Sequence, residues 1–373
     1  MTDVTAPAKN TRGRSLTGLA MLRLRRNKAA MASLVIFTIM VVTCVAGPWF
    51  MPHRYDQAFQ SYVQTPPSLS PYPRESTLRD VMATALDRAH VSVQTFNAAG
   101  STFTATLTSD RPIDPRVTRY VDRANEFGST QVTATGADAH TITVAGRIKR
   151  EYFLMGTDAN GRDLFSRIML GGQVSLLVGL LASLVSLFIG VIYGATSGFI
   201  GGRVDNAMMR LVEILYSLPF MFLVIMLVVF FGRNFVLIFV AIGAIEWLDM
   251  ARIVRGQTLS LKRREFVQAA QAMGLSDGAV IRRHIIPNTI GQVVIFITIR
   301  VPRVILLESF LSFLGLGVQE PLTSWGVLIA EGTNFMEAAP WMLIFPALFF
   351  VVTLLSLNFI GDGLRDALDP RDR

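Results

Sequence analysis

Charged side chains embedded in apolar runs are the residues of this sequence best placed to do chemistry. A charge in hydrocarbon is costly and is kept where it pairs, binds or conducts. Glu246 and Asp249 stand in one such run, and Arg300, Arg303 and Glu308 in the next. Arg300 and Glu308 lie about two helical turns apart, nearly on one face, so they could line a water-filled path or pair with Glu246 and Asp249. For Arg303 and Glu308, structural ion pairing and lining of a path both stay open. Glu213 reads as a charge at the end of a helix. Pro219 and Pro302 interrupt helical hydrogen bonding and fit bends beside a pathway.

Other chemistries lack their residues. A phosphate-cradling loop needs Gly-Lys-Ser or Gly-Lys-Thr, and none of Lys9, Lys28, Lys149 and Lys262 follows a glycine, so this chain hydrolyses no ATP by that route. The segment 158–163 (Asp-Ala-Asn-Gly-Arg-Asp) spaces oxygen ligands like the start of a calcium loop, but Met169 stands where the bidentate Glu is required. There, Gly156 and Gly161 are expected to make turns and Asp158 to cap a short amphipathic segment, 164–170. His53, His90, His140 and His284 are scattered and Cys44 is the single cysteine, so neither a metal site nor an intrachain disulfide is expected.

The elements that carry these residues follow from composition. Of 373 residues 51% are hydrophobic and 17% charged, with the apolar ones gathered in long runs, which points to a membrane protein. The first run, 29–51, is long enough to cross a bilayer and too long for the core of a signal peptide, so it reads as a retained anchor after a basic segment, 1–28. Further spans are expected over 173–193, 211–231, 235–251, 290–316 and 340–360, giving an all-α polytopic protein with six transmembrane helices. The net charge of +8 collects near the ends of these runs and not in a stripe with aromatics, which argues for membrane orientation and against nucleic acid. Six spans put the basic N-terminus, the loops 203–210 and 252–283 and the tail 362–373 on one side, the cytoplasm. Trp49, Trp325 and Trp341 then read as interfacial aromatics on the opposite side.

Residues 52–152 form a polar insert on the outer face, between the first and second spans. A helix over 78–89, another around 115–127, and strands over 102–108, 131–135 and 141–145 make it a small α+β domain, with a turn at 136–138. Its charges nearly balance, so no anion-binding patch is expected. It shows neither a nucleophile elbow nor metal spacing, which weighs against a membrane-anchored enzyme.

Between the fourth and fifth spans stands a soluble helix-turn-helix. Phe266, Ala269, Ala270 and Met273 recur at helical spacing and predict one apolar face with small residues at its centre, suited to close approach by a partner. Gly274 reads as a left-handed C-terminal cap, and Ser276 with Asp277 opens a second short helix that must stop before Pro287. Glu265 either pairs with a basic residue of a partner or stays a solvated charge. This segment, with Ile281, His284 and Pro287, resembles the EAA signature of bacterial ABC importer permeases. The stretches 154–163, 312–318 with Pro321, Trp325 and Gly326, and 361–371 look like the C-type permease subunit of dipeptide and oligopeptide importers. The resemblance covers 29–51 and 153 to the C-terminus but not the insert.

What the resemblance implies is a permease core, 153–361, in the bacterial inner membrane, whose coupling loop, 255–288, docks on an ATPase. The partners would be a second permease, two ATP-binding subunits carrying ATP and Mg, and an extracytoplasmic solute-binding protein, with no cofactor on this chain itself. Related permeases also serve nickel chelates and other small solutes. An ion-driven secondary transporter is disfavoured because no convincing internal repeat is seen and the docking loop would be left unexplained.

Overall fold

The computed structural model describes residues 16–136, 138–232 and 235–368. Arg12, Arg14, Arg371 and Arg373, on which the reading of the termini drew, lie outside the described residues, as does residue 137 of the expected turn. The chain divides into two compact units, one made of the residues up to Met51, Ile168–Phe335 and Leu343 onward, the other of Pro52–Arg167 with Met336–Met342. The first unit opens with α1 (Leu16–Arg26) and α2 (Lys28–Phe50), separated by Asn27, whose side chain accepts from the Ala30 amide at 3.1 Å and caps α2.

The second unit holds α3 (Glu75–Asp87), strands β1 (Ser92–Ala99) and β2 (Thr102–Thr108), the short helix α4 (Thr118–Arg123), and strands β3 (Phe127–Thr135) and β4 (Thr141–Ile148). All neighbours pair antiparallel in the order β1-β2-β4-β3. β2 alternates as its Thr-Phe-Thr-Ala-Thr-Leu-Thr pattern requires, burying Phe103, Ala105 and Leu107 against Leu78, Met82 and Leu86 of α3. Two sequence expectations change here. β1 was not anticipated, because its burial is only partial along its length and the alternation is faint. The helix expected around 115–127 shrinks to a 3-10 turn, Pro115–Val117, and α4, since Phe127 is already in β3.

The segment around 158 is held by charge. Asp158 does not cap the helix that follows: its Oδ1 accepts from the backbone amides of Asn160 (2.7 Å) and Arg162 (2.8 Å), and its Oδ2 from Arg162 Nε (2.7 Å) and the Arg167 guanidinium (2.6 Å). Asp163 does the capping instead, accepting from the Phe165 amide and the Ser166 hydroxyl. Gly156 and Gly161 turn the chain with φ of 78° and 73°. Nearby, buried His53 sits 2.8 Å from Glu151 and 3.7 Å from Asp163. Burial alone would lower its pKa, but the two carboxylates outweigh that and the net shift is upward.

The remaining helices are α5 (Leu164–Ile200), α6 (Gly202–Ser217), α7 (Phe220–Phe231), α8 (Phe235–Leu261), α9 (Glu265–Ala272), α10 (Asp277–Val280), α11 (Ile286–Phe313), α12 (Trp325–Thr333) and α13 (Trp341–Leu368). Four helical elements of the described residues are long and apolar enough to cross a membrane: α2, α5, Asp277–Phe313 and α13. The expected amphipathic segment 164–170 is the first part of α5 and not a separate helix. The expected span 211–231 is broken, with α6 and α7 bent by 84°. Pro219 explains the break, since it disfavours helical geometry in the residue before it, and Leu218 is extended at ψ 132°. Counting that pair as one span gives five. α8, which holds the expected span 235–251, carries Glu246, Asp249, Arg252 and Arg255 and is not among those four.

Glycines let α5 approach α8 closely. Gly190, Gly194 and Gly198 recur every fourth residue on α5, and a Cβ at Gly194 would run into the Ala251 carbonyl of α8. Such small-residue stripes let helix backbones approach in a membrane. Trp325 corrects another expectation: it is fully buried, its indole N–H donates to the Ile168 carbonyl at 3.1 Å, and it is not interfacial.

Candidate functional site

The hairpin after α8 is anchored by its inner face and presents its outer one. Lys262 Nζ donates to the Phe199 carbonyl at the end of α5. Val267 and Ala270 of α9 are buried with Val191, Ala195 and Phe199 of α5 and Met250 and Val254 of α8. The single face expected from Phe266, Ala269, Ala270 and Met273 therefore splits: Ala270 turns inward, while Phe266 (43% exposed), Ala269 and Met273 (74% exposed) form the outward ridge. Helical spacing groups residues by side, but the burial of Val267 decides which side belongs to the protein's own core. A glutamate at 270 would enter that core.

The turn is a Schellman motif. Leu275 N–H donates to the Ala270 carbonyl at 3.2 Å and Gly274 N–H to the Gln271 carbonyl at 2.9 Å, while Gly274 takes φ 82°. Nothing lies within 4 Å of a Cβ built on Gly274, so its demand is conformational and not steric. Ser276 opens α10 through its backbone, its carbonyl accepting from the Val280 amide at 3.0 Å, without a side-chain cap. Glu265 and Asp277 sit exposed in the first turns of their helices.

The expected stop before Pro287 does not occur. Residues Ile281–Ile285 form a π turn, with Ile286 N–H donating to the Ile281 carbonyl, and the helix passes through Pro287 into α11. A wider turn relaxes the clash that a proline ring makes with the preceding turn of a regular helix. Ile285 is buried and Ile281 half-buried against the same core, while His284 packs 6.4 Å from the Phe266 ring.

The charges expected inside the fourth and fifth spans fall into two groups. Arg300 lies 2.8 Å from Glu246 and 2.7 Å from Asp249, and Arg303, more exposed, approaches Glu246 at 3.8 Å. A cavity of about 10 Å³ beside Arg300 and Glu246, also lined by Ser183 and Ser186, is of the order of one water. Glu308 stands apart, fully buried, accepting from Ser312 at 2.7 Å and Ser175 at 3.1 Å. The Ser324 hydroxyl contacts Ser312 and caps α12, so this hydroxyl cluster ties α5, α11 and α12 together. Sequence reasoning missed Asp205, whose two oxygens accept from Arg255 at 2.6 Å each and which Ser197 also contacts at 2.5 Å. Asp205 looked like a loop residue, and only its place just beyond the second span hinted at an anchor.

Comparison with known proteins gives the family. Residues 173–373 match the family described as binding-protein-dependent transport system inner membrane component, and residues 15–73 match the N-terminal TM domain of oligopeptide transport permease C. The oligopeptide transport system permease protein OppC of Escherichia coli K12 is 65% identical over 218 residues, 58% of this chain and 72% of that protein. OppC of Haemophilus influenzae is 42% identical over 361 residues, 97% of this chain and 90% of that protein. The dipeptide transport system permease protein DppC of Bacillus subtilis is 47% identical over 219 residues, 58% of this chain and 68% of that protein.

Proposed function

Because the chain belongs to the family of binding-protein-dependent transport system inner membrane components, we propose that it is the C-type permease subunit of an ATP-driven importer of di- or oligopeptides. Six spans, α2, α5, the α6–α7 pair, α8, α11 and α13, form its half of the pathway beside a second permease. Two ATPase subunits, holding ATP and Mg, dock on the α9–α10 hairpin, and an extracytoplasmic binding protein delivers the peptide. ATP-driven closure of the ATPase subunits moves the hairpins together and switches the spans between inward-open and outward-open states.

The observation that carries this reading is the divided hairpin. Its inner face is packed on α5 and α8, while Phe266 and Met273 stay exposed beside the Schellman turn. A surface held rigid from behind and apolar in front suits a partner better than water.

Gly274→Val tests it. A β-branched side chain at φ 82° costs about 1–3 kcal/mol, enough to reshape the turn, whereas asparagine tolerates this region. Gly274→Val should insert normally yet lose uptake on the order of tenfold or more, with binding-protein-stimulated ATP hydrolysis lost, while Gly274→Asn keeps most of both. Wild-type uptake and ATPase stimulation in a well-inserted valine variant would remove the hairpin from the coupling role.

The same reading puts the second unit outside the cytoplasm and both termini inside. A cysteine at Ser101, exposed between β1 and β2, should react with an impermeant maleimide in intact cells stripped of their outer membrane. Reaction only after the inner membrane is opened would refute that topology.

A further inference from the structure

The sequence of the second unit is nearly neutral, but its fold gathers arginines. A groove of about 750 Å³ lies between the loop after α3, the loop after β2 and the Pro115–Arg123 segment. That volume is within the ordinary range for small-molecule sites, about 300–1,000 Å³. Arg116, Arg119, Tyr120 and Arg123 recur at helical spacing along one wall, and Arg111 joins them from the preceding loop. Among the described residues, none of these guanidinium groups makes an ion pair or a side-chain hydrogen bond, although Arg123 lies 5.8 Å over the Tyr120 ring. Four exposed arginines on one groove repel one another and gain from an anion that bridges them.

The groove is not uniformly basic. Asp114 is committed to the Arg116 backbone amide at 2.8 Å, but the Asp110 carboxylate has no hydrogen-bond partner among the described residues and faces the same groove. Tyr120, 38% exposed, adds an aromatic surface. At His90 the groove's edge holds a non-glycine residue in left-handed backbone, φ 54°, where the Ser109 hydroxyl donates to its carbonyl at 3.0 Å. Such strain persists only where the surroundings fix it, and here it sets the rim of the groove.

Guanidinium forks, one free carboxylate and an aromatic face match the parts of a zwitterionic peptide: its terminal carboxylate, its ammonium group and a side chain. We infer that this groove is a second peptide-binding site, on the permease itself, which takes a short free peptide by its C-terminal carboxylate on the arginines and its N-terminus near Asp110. The inference rests on the importer reading for its choice of ligand, since the transported class is what this surface would meet.

The test is calorimetric titration of the full chain in phosphatidylcholine nanodiscs, without ATPase subunits or binding protein. The probes are trialanine and its C-terminal amide. Trialanine should bind saturably, and affinity should fall at least tenfold both for the amide and in Arg119→Glu/Arg123→Glu, but not in Arg147→Glu, an exposed strand position outside the groove. Absence of saturable binding, equal affinity for the amide, or unchanged binding in the double variant would overturn the proposal. So would a double variant that lost only its binding to phosphatidylglycerol vesicles, which would make the groove a lipid headgroup site. Because no ATPase is present, failure of the hairpin's coupling role leaves this titration untouched, and a failed titration leaves the Gly274 result standing.

Discussion

Asp158→Ala should strip the chain of a large share of its stability and lower its melting temperature sharply. Asp158 is 1% exposed and serves two guanidinium groups, one of them, Arg167, itself 1% exposed, along with two backbone amides. Removing one member of such a buried cluster costs about 3–5 kcal/mol, because charge and N–H groups are left without this acceptor in a place that water does not reach. That is a large share of the ~5–15 kcal/mol by which ordinary domains are stable. Asp158→Asn keeps one oxygen to accept from the backbone amides but sets an NH2 donor where Oδ2 receives the two guanidinium groups, so it should recover only part of the alanine loss. Thermal melting of the purified chain and limited proteolysis of the 52–167 unit check the order. Melting of the alanine variant together with wild type would show that the two arginines are satisfied elsewhere.

Arg300→Leu should be nearly as severe, for a reason tied to the membrane. Glu246 is 6% exposed and Asp249 is 20% exposed at the side chain, and both depend on Arg300 for their short contacts. Two carboxylates left in apolar surroundings cost several kcal/mol. Lysine at 300 should restore part of the loss, since a point charge reaches either acid but lacks the fork that reaches both. The informative variant is the triple change Arg300→Leu, Glu246→Gln, Asp249→Asn, which removes the cluster as a whole. Recovery of yield together with uptake would make the cluster a structural pairing. Recovery of yield without uptake would put the charges on the peptide's route. A well-expressed and active Arg300→Leu single variant would deny them either role.

How much of this could be read beforehand depends on the range over which each feature is written. Gly274 was legible because a helix end, a left-handed glycine and the following Ser-Asp pair are local, and its φ of 82° matches. The long apolar runs were legible because hydropathy accumulates within one segment. Ala270 was not, because periodicity groups residues on a face but does not say whether that face meets the protein's own core or a partner. Asp205 and Arg255 are fifty residues apart and meet only once α5, α6 and α8 have packed. The glycine repeat of α5 was present in the sequence as Gly190, Gly194 and Gly198, and it could have announced the contact with α8. The arginine groove was invisible for the opposite reason: a balanced composition hides a patch that folding assembles from three separated stretches.

The passage of the helix through Pro287 has a mechanical side. Asp277–Phe313 is one element of 37 residues. Arg300 pins it to α8 partway along, and at ~1.5 Å per residue it leaves an arm of about 35 Å toward the hairpin and about 20 Å toward the far end. A rod fixed at that point is a lever with its long arm on the side of the hairpin. Travel imposed there arrives at the short end reduced by nearly half and with correspondingly greater force. Pro302, two residues beyond the pin, lacks the N–H of a regular helix, so the stiffness of the joint between the two arms is set beside the point where they meet.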